Sequence, residues 1–143
     1  MNTVDKVKRT ITEYDLIRPG DRVLCALSGG SDSVAMLHIL IKLYYEMGFE
    51  VLAAHVNHGI RAEADKDEDF VKKLCEDNDI KCFVKKADVP AYAAKHKMSS
   101  ELAGRKIRYG FFEEIRKSQN INKIATAHNK NDSAESVLLH MTR

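Results

Sequence analysis

Arg22-Val23-Leu24-Cys25-Ala26-Leu27-Ser28-Gly29-Gly30-Ser31-Asp32-Ser33 decides how the rest of the chain is read. Its first half is a short apolar run, β-branched in part, that predicts a buried strand. Its second half is a Ser/Gly loop, followed by a helical pattern from about Ser33 to Met47 that Gly48 closes as a left-handed cap. A strand that runs through glycines into a helix gathers backbone amides at the positive end of a helix dipole, where anions bind. Ser28, Gly29, Gly30, Ser31, Asp32 and Ser33 are therefore candidate phosphate ligands, with the three serines adding hydroxyl donors. The Lys that follows the glycines of the ordinary mononucleotide phosphate loop is absent, and Asp32 stands inside the loop instead. A carboxylate beside phosphates repels them unless a divalent cation lies between, so Asp32 implies Mg²⁺.

Outward from this stretch, helices and strands alternate. A first helix is expected over Thr3 to Asp15, ending before Pro19-Gly20. Phe49 to Val56 reads as a second strand buried on both faces, because no polar residue interrupts Val51 to Ala54. A helix from Glu63 to about Asn78 begins with carboxylates at the positive end of its dipole. Ile80 to Val84 is a third strand, Pro90 to Lys95 a short helix, and Ser99 or Ser100 caps a longer helix to about Ser118. Ile124 to Ala127 is a fourth strand, and a last helix is expected from Asn131 or Asp132 through Val137, Leu138 and Met141 to the end. The alternation implies right-handed crossovers, hence an α/β fold: a doubly wound parallel sheet with helices on both faces. Ligands of such sheets sit at the carboxyl ends of the strands, and the loops after Leu27, Val56 and Ala127 all lie there.

At 143 residues, 44% hydrophobic and 31% charged, the chain has the make-up of one water-soluble domain, spanning residues 1–143. Charges throughout Met1 to Asp15 exclude a secretory signal or a membrane span there, and a cytoplasmic location with no membrane partner is expected. Cys25, Cys75 and Cys82 form no C-x-x-C pair and read as buried free thiols. A net charge of +2 is too small to identify a nucleic-acid binder, and the clusters around Lys81 to Lys97 and Arg105 to Arg108 fit a solvated face as well as a phosphate-binding patch.

Three further groups carry candidate chemistry. His55-Val56-Asn57-His58-Gly59-Ile60-Arg61 ends the second strand beside the phosphate loop, but its two histidines have no third zinc ligand at a suitable spacing. Glu101, Arg105 and Arg108, at i, i+4 and i+7, share one face of a helix. A Glu101–Arg105 surface pair explains them, and so does an arginine held by Glu101 to stabilise charge gathering on a phosphate. His128, Asp132 and Glu135 follow the fourth strand, where Asp132 is either a helix cap or, with its neighbours, a Mg²⁺ ligand or base.

The loop SGGSDS resembles the signature of the PP-loop ATP pyrophosphatases, which cleave ATP between the α and β phosphates. With HVNHGIR, E-x-x-G-R-x-x-R-Y from Glu101 and T-A-H-x-x-x-D-x-x-E-x-V-L-L from Thr126, the chain resembles the tRNA(Ile)-lysidine synthases from Arg22 to Arg143. The resemblance implies a Rossmann-like sheet of the adenine nucleotide alpha hydrolase type. It also implies adenylation of the wobble cytidine of isoleucine tRNA by ATP, then displacement of AMP by free L-lysine. Asp32, Arg108, His128, Asp132 and Glu135 fall where that family has functional groups. Asp32 and Asp132 would hold the metal, Arg108 would steady the α phosphate, with Arg105 a further catalytic candidate, and His128 or Glu135 would take a proton from the amine. Gly104 departs from the alanine many members carry. The family's chains run further, through another strand and tRNA-contacting domains, so a fragment is expected whose bare sheet edge invites a homodimer.

Two other readings are a tRNA thiolase of the same superfamily, which the absence of paired cysteines disfavours, and an ATP-binding module without turnover. Replacing Asp32 with Ala is expected to abolish the Mg²⁺-dependent binding of a non-hydrolysable ATP analogue. Calorimetric titration of both chains checks this, and equal binding would remove Asp32 from the site.

Overall fold

Val23, Leu24 and Cys25 are fully buried because their strand, β1 (Arg22–Ala26), lies at the middle of a sheet that helices cover on both faces. The computed structural model describes residues 2–59, 62–129 and 137–142. β2 (Glu50–Asn57) pairs with β1 in parallel, from Arg22↔Glu50 to Ala26↔Ala54. On the other side β4 (Lys123–Asn129) pairs with β1, also in parallel, from Val23↔Lys123 to Cys25↔Ala125. β3 (Cys82–Lys86) lies outside β2, and β5 (Val137–Thr142) outside β4, giving the order β3-β2-β1-β4-β5.

Side chains of a strand alternate between faces, and here each face meets its own helices. Val23, Cys25 and Ala53 pack with Ile11 of α1 (Thr3–Glu13), with Met36, Leu37 and Leu40 of α2 (Ser31–Met47), and with Val71 of α3 (Ala62–Asp77). Leu24, Leu52 and Val56 pack on the opposite face with Phe111, Phe112 and Ile115 of α5 (Ser100–Ser118). The short α4 (Val89–Lys95), capped by Asp88, contributes Val89 and Ala93 to a small cluster with Ala103. Ser99 caps α5, its hydroxyl accepting from Leu102 N at 3.1 Å. From β1 the chain winds outward through β2 and β3, then returns through α4 and α5 to lay β4 on the far side of β1. Strand order thus reverses between β1 and β4, and the loops leaving them part to form a crevice.

Two expectations are corrected. The helix after the phosphate loop starts at Ser31, so Ser31, Asp32 and Ser33 form its first turn. The last helix is not formed over Val137–Thr142, which is the strand β5, antiparallel to β4 from Asn129↔Val137 to Ile124↔Thr142. Its expected start near Asn131 or Asp132 lies outside the described residues. A short apolar run has no decisive period of its own, and the open amides and carbonyls along β4 supply backbone partners that favour a strand. β5 therefore pairs the edge of β4 from which self-association was expected, and adds an antiparallel margin to a four-stranded parallel core.

A buried polar anchor seats α3 on the sheet. Asn57, at the end of β2, donates from Nδ2 to Asp65 at 2.9 Å and to the buried Glu68 at 3.1 Å, and its Oδ1 accepts from Gly59 N at 2.8 Å. Glu68 also meets Lys72 at 2.8 Å, and Lys72, aided by Asn57, holds its carboxyl below the usual range against the effect of burial. Asn57→Leu keeps the volume but leaves these groups short of a partner. It is expected to lower stability by about 1–3 kcal/mol, read as a lower urea midpoint at unchanged slope.

Candidate active site

The phosphate loop is held in shape by its own serines. Ser33, buried in the first turn of α2, donates its hydroxyl to Gly30 O at 3.0 Å and accepts from Ser28 N at 3.1 Å. Its single proton being used, the 3.0 Å contact with Ser28 Oγ has Ser28 as donor, and Ser28 Oγ in turn accepts from Gly30 N at 3.2 Å. Both hydroxyls, expected to reach a phosphate, are engaged within the loop instead. What the loop offers outward is its backbone. Gly30 caps α2 with no side chain, so no side-chain oxygen from the cap covers the positive end of that helix. Gly29 turns at φ +95°, where an added Cβ would only reach ordinary contact with Asp67 Cβ at 3.4 Å, so conformation rather than space favours glycine.

The start of the loop is tied down by His55. Its Nδ1 lies 2.7 Å from Leu27 O, and since a carbonyl only accepts, this nitrogen carries the proton. Its buried Nε2 has no hydrogen-bond partner among the described residues. His55 belongs to the α2–α3 face, whereas His58, just past β2, opens into a cleft on the α5 side.

This cleft, about 250 Å³, lies between α5 and the carboxyl ends of β1, β2 and β4. A change of residue size along two strands creates it. Leu24 and Leu52, paired across β1 and β2, fill the space under α5, and one step further along the same face stand Ala26 and Ala54, also paired. The missing side-chain volume is the trough. Its floor is apolar, with Val56 and Phe112, and its rim is polar, with Ser28, Ser33, His58, Arg108 and Thr126. A flat apolar slot with a cationic rim beside an anion-binding helix end suits a heteroaromatic base joined to phosphates.

Arg108 and His58 meet across Gly104, where an added Cβ would lie 3.8 Å from both, an ordinary contact that leaves room for alanine. Burial, then the charges of Arg108 and His55, push the His58 imidazole below its ordinary range. Tyr109 also lines the cleft, 40% exposed, with its ring edge-on to Phe112 at 5.9 Å.

The expected site residues divide accordingly. Arg108 reaches the cleft, while Arg105 lies outside it, its guanidinium over the Tyr109 ring at 5.9 Å. Among the described residues Glu101 makes no ion pair with Arg105, so the surface pair expected on α5 is not formed. Asp32 stands half-buried in the first turn of α2. The backbone of His128 pairs with Leu138 in the β4–β5 ladder. Asp132, Glu135 and Arg61 lie outside the described residues. Tyr109 and Thr126 stand in the motifs quoted above without a role assigned to them, and the alanine pair was not singled out from the sequence. Only the successive small residues Ala53 and Ala54 in an otherwise large-residue strand hint at the trough.

Comparison with known proteins is consistent with this geometry. A tRNA(Ile)-lysidine synthase from Clostridium acetobutylicum is 50% identical over 141 residues, 98% of this chain and 31% of that protein. The tRNA(Ile)-lysidine synthase of Thermosipho africanus is 43% identical over 143 residues, 34% of its length. The chain thus spans about a third of the length of these curated relatives. Among solved structures, the U34-tRNA thiolase NcsA from Methanococcus maripaludis superposes with a TM-score of 0.72 at 22% identity, over 89% of this chain and 45% of that one. An NH3-dependent NAD synthetase from Campylobacter jejuni superposes at 0.57 and 16% identity, over 90% and 54%. These two likenesses show the fold. The PP-loop domain profile matches residues 2–143, so with its SGGSDS loop at the switch point of a doubly wound sheet the chain belongs to the PP-loop domain family.

Proposed function

We propose that the chain is the adenylating domain of a tRNA(Ile)-lysidine synthase, a cytoplasmic carbon–nitrogen ligase that uses ATP, isoleucine tRNA and free L-lysine. The observation that carries this reading is the convergence of the Ser28–Ser33 loop and Arg108 on one cleft at the β1–β4 crevice. The name of the relatives above, tRNA(Ile)-lysidine synthase, supports the choice of isoleucine tRNA and lysine as substrates.

In this reading the adenine enters the Ala26–Ala54 trough, and the phosphates point toward the amino terminus of α2, whose amides hold the pyrophosphate portion. The cytosine O2 attacks the α phosphorus, the new P–O bond forms as the bond to the β-phosphate oxygen breaks, and pyrophosphate departs. Arg108 faces the charge that builds on the α phosphate. The ε-amine of lysine then attacks C2 and gives up its proton as AMP leaves. His128 or Glu135 takes that proton, and Arg105, outside the cleft, steadies Tyr109 at its rim. Asp32 and Asp132 would hold Mg²⁺, which would supply charge neutralisation on the leaving pyrophosphate. The half-buried Asp32 carboxylate beside the loop is compatible with that role.

The test is lysine incorporation into isoleucine tRNA by a protein that carries this domain at the relatives' full length. ATP-dependent lysidine formation supports the reading, whereas sulfur incorporation, or ATP binding without turnover, overturns it. In the same assay Arg108→Ala is expected to lower kcat by about 10²–10³-fold, as when one preorganised donor is removed. Ala54→Leu fills the trough and should weaken an ATP analogue at least about tenfold, equivalent to 1.4 kcal/mol, while the far-ultraviolet circular dichroism is unchanged.

His58 adds a pH signature. In the free protein it resists protonation, so a bound anion beside Arg108 relieves part of the repulsion, and the complex holds more protons than the free chain. Affinity for the ATP analogue should therefore rise as pH falls through and below about 6.5, the ordinary histidine value, and His58→Gln should flatten the dependence. Equal slopes in both chains would assign the effect to another group.

A further inference from the structure

Cys25, Cys75 and Cys82 are dispersed in the sequence, but the fold collects them under α3. The register Cys25↔Ala53↔Cys82 sets two of them on one face, two strands apart, with only the Ala53 methyl between. Cys75, near the end of α3, packs into the same core cluster. Cys82 packs against that same cluster from β3. The chain between them folds back through Asp79 at φ +56°, with Ile80 N donating to Cys75 O at 2.8 Å, so the turn itself keeps the two cysteines together.

The three differ in access and in acidity. Cys25 and Cys75 are buried, whereas Cys82 is partly exposed on β3, a strand at the margin of the sheet. Burial pushes the Cys25 thiol far up and leaves it inert. The neighbouring Cys75 thiol, with the charge of Lys72, draws Cys82 down against its partial burial. One thiol that solvent reaches, packed in the same cluster as one that it does not, is the arrangement of an attacking and a resolving cysteine.

We propose that Cys75 and Cys82 are a modification site, a thiol pair that a hydroperoxide converts to an intramolecular disulfide while Cys25 remains a thiol. The Cys82 thiolate attacks the terminal peroxide oxygen and the O–O bond breaks. Hydrogen peroxide thereby releases water and leaves Cys82 as a sulfenic acid. The Cys75 sulfur then attacks Cys82, the S–S bond forms, the S–O bond breaks, and the hydroxyl leaves as water with the Cys75 proton. In sum, two thiols are oxidised, one peroxide is reduced, and two waters form. This chemistry is independent of the nucleotide site.

The test treats the intact chain with hydrogen peroxide and counts free thiols after denaturation. The count should fall from three to one, the chain should become lighter by two hydrogens, and peptides bearing Cys75 and Cys82 should be linked. Dithiothreitol should restore all three thiols. Cys25→Ser should still form the link, and Cys82→Ser should keep both of its remaining thiols. Three thiols surviving in the wild type, a link through Cys25, a crosslinked dimer, or Cys82 stopping at sulfinic acid would each overturn the proposal, and the wild-type result stands even if a variant fails to fold.

Discussion

The site depends on the way β1 ends. Leu27 is the last residue held by the sheet, its N donating to Ala54 O at 2.8 Å while its carbonyl accepts from the His55 imidazole. With both backbone groups of Leu27 fixed by β2, the chain leaves the sheet in one direction and Ser28 begins the loop from a set position. The serine ring and Gly30 then start α2 with its amino terminus free of a side-chain cap. A looser exit from β1 would leave the same residues in sequence without aligned amides, and anion binding depends on that alignment.

The same edge of the sheet explains why so much polar material is placed around the loop. Asn57 joins β2 to α3 through two carboxylates, and α3 in turn lays Asp67 against Gly29. The acidic start of α3, which the sequence presents as a run of charge, is thus partly structural. Glu68 is buried and satisfied, and it orients the helix that closes over the loop. On the opposite face the sheet gives way to a trough as Leu24 and Leu52 are succeeded by Ala26 and Ala54. The two faces thus act on the loop and the cleft separately, with α3 bracing the loop from one side while α5 brings Arg108 to the cleft beside His58 on the other.

The alternation of strand and helix, the loop that opens α2, and a serine at 99 or 100 as the cap of α5 were legible in the residues, because each rests on local pattern or local hydrogen bonding. The end of the chain was not. Val137–Thr142 carries an apolar pattern that suits either a helix or a strand, and its pairing with β4 is a long-range choice of backbone partners. The hydrogen bonding of Ser33 was not legible for a related reason. A hydroxyl in a Ser/Gly loop is equally suited to a phosphate or to its own backbone, and only the turn geometry shows that its proton goes to Gly30 O.

By itself the sequence determined that a strand, a glycine turn and a helix follow one another at Arg22 to Met47, and that cationic and carboxylate side chains stand after the other strands. Those are statements about neighbours along the chain, which short-range sterics and periodicity control. Tertiary structure alone decided that Arg108 and not Arg105 reaches the cleft, that His55 and His58 serve opposite faces, and that three scattered cysteines meet under α3. The physical reason is common to all three: strand register and helix seating fix which side chains converge, and both are set by core packing between residues far apart in the chain.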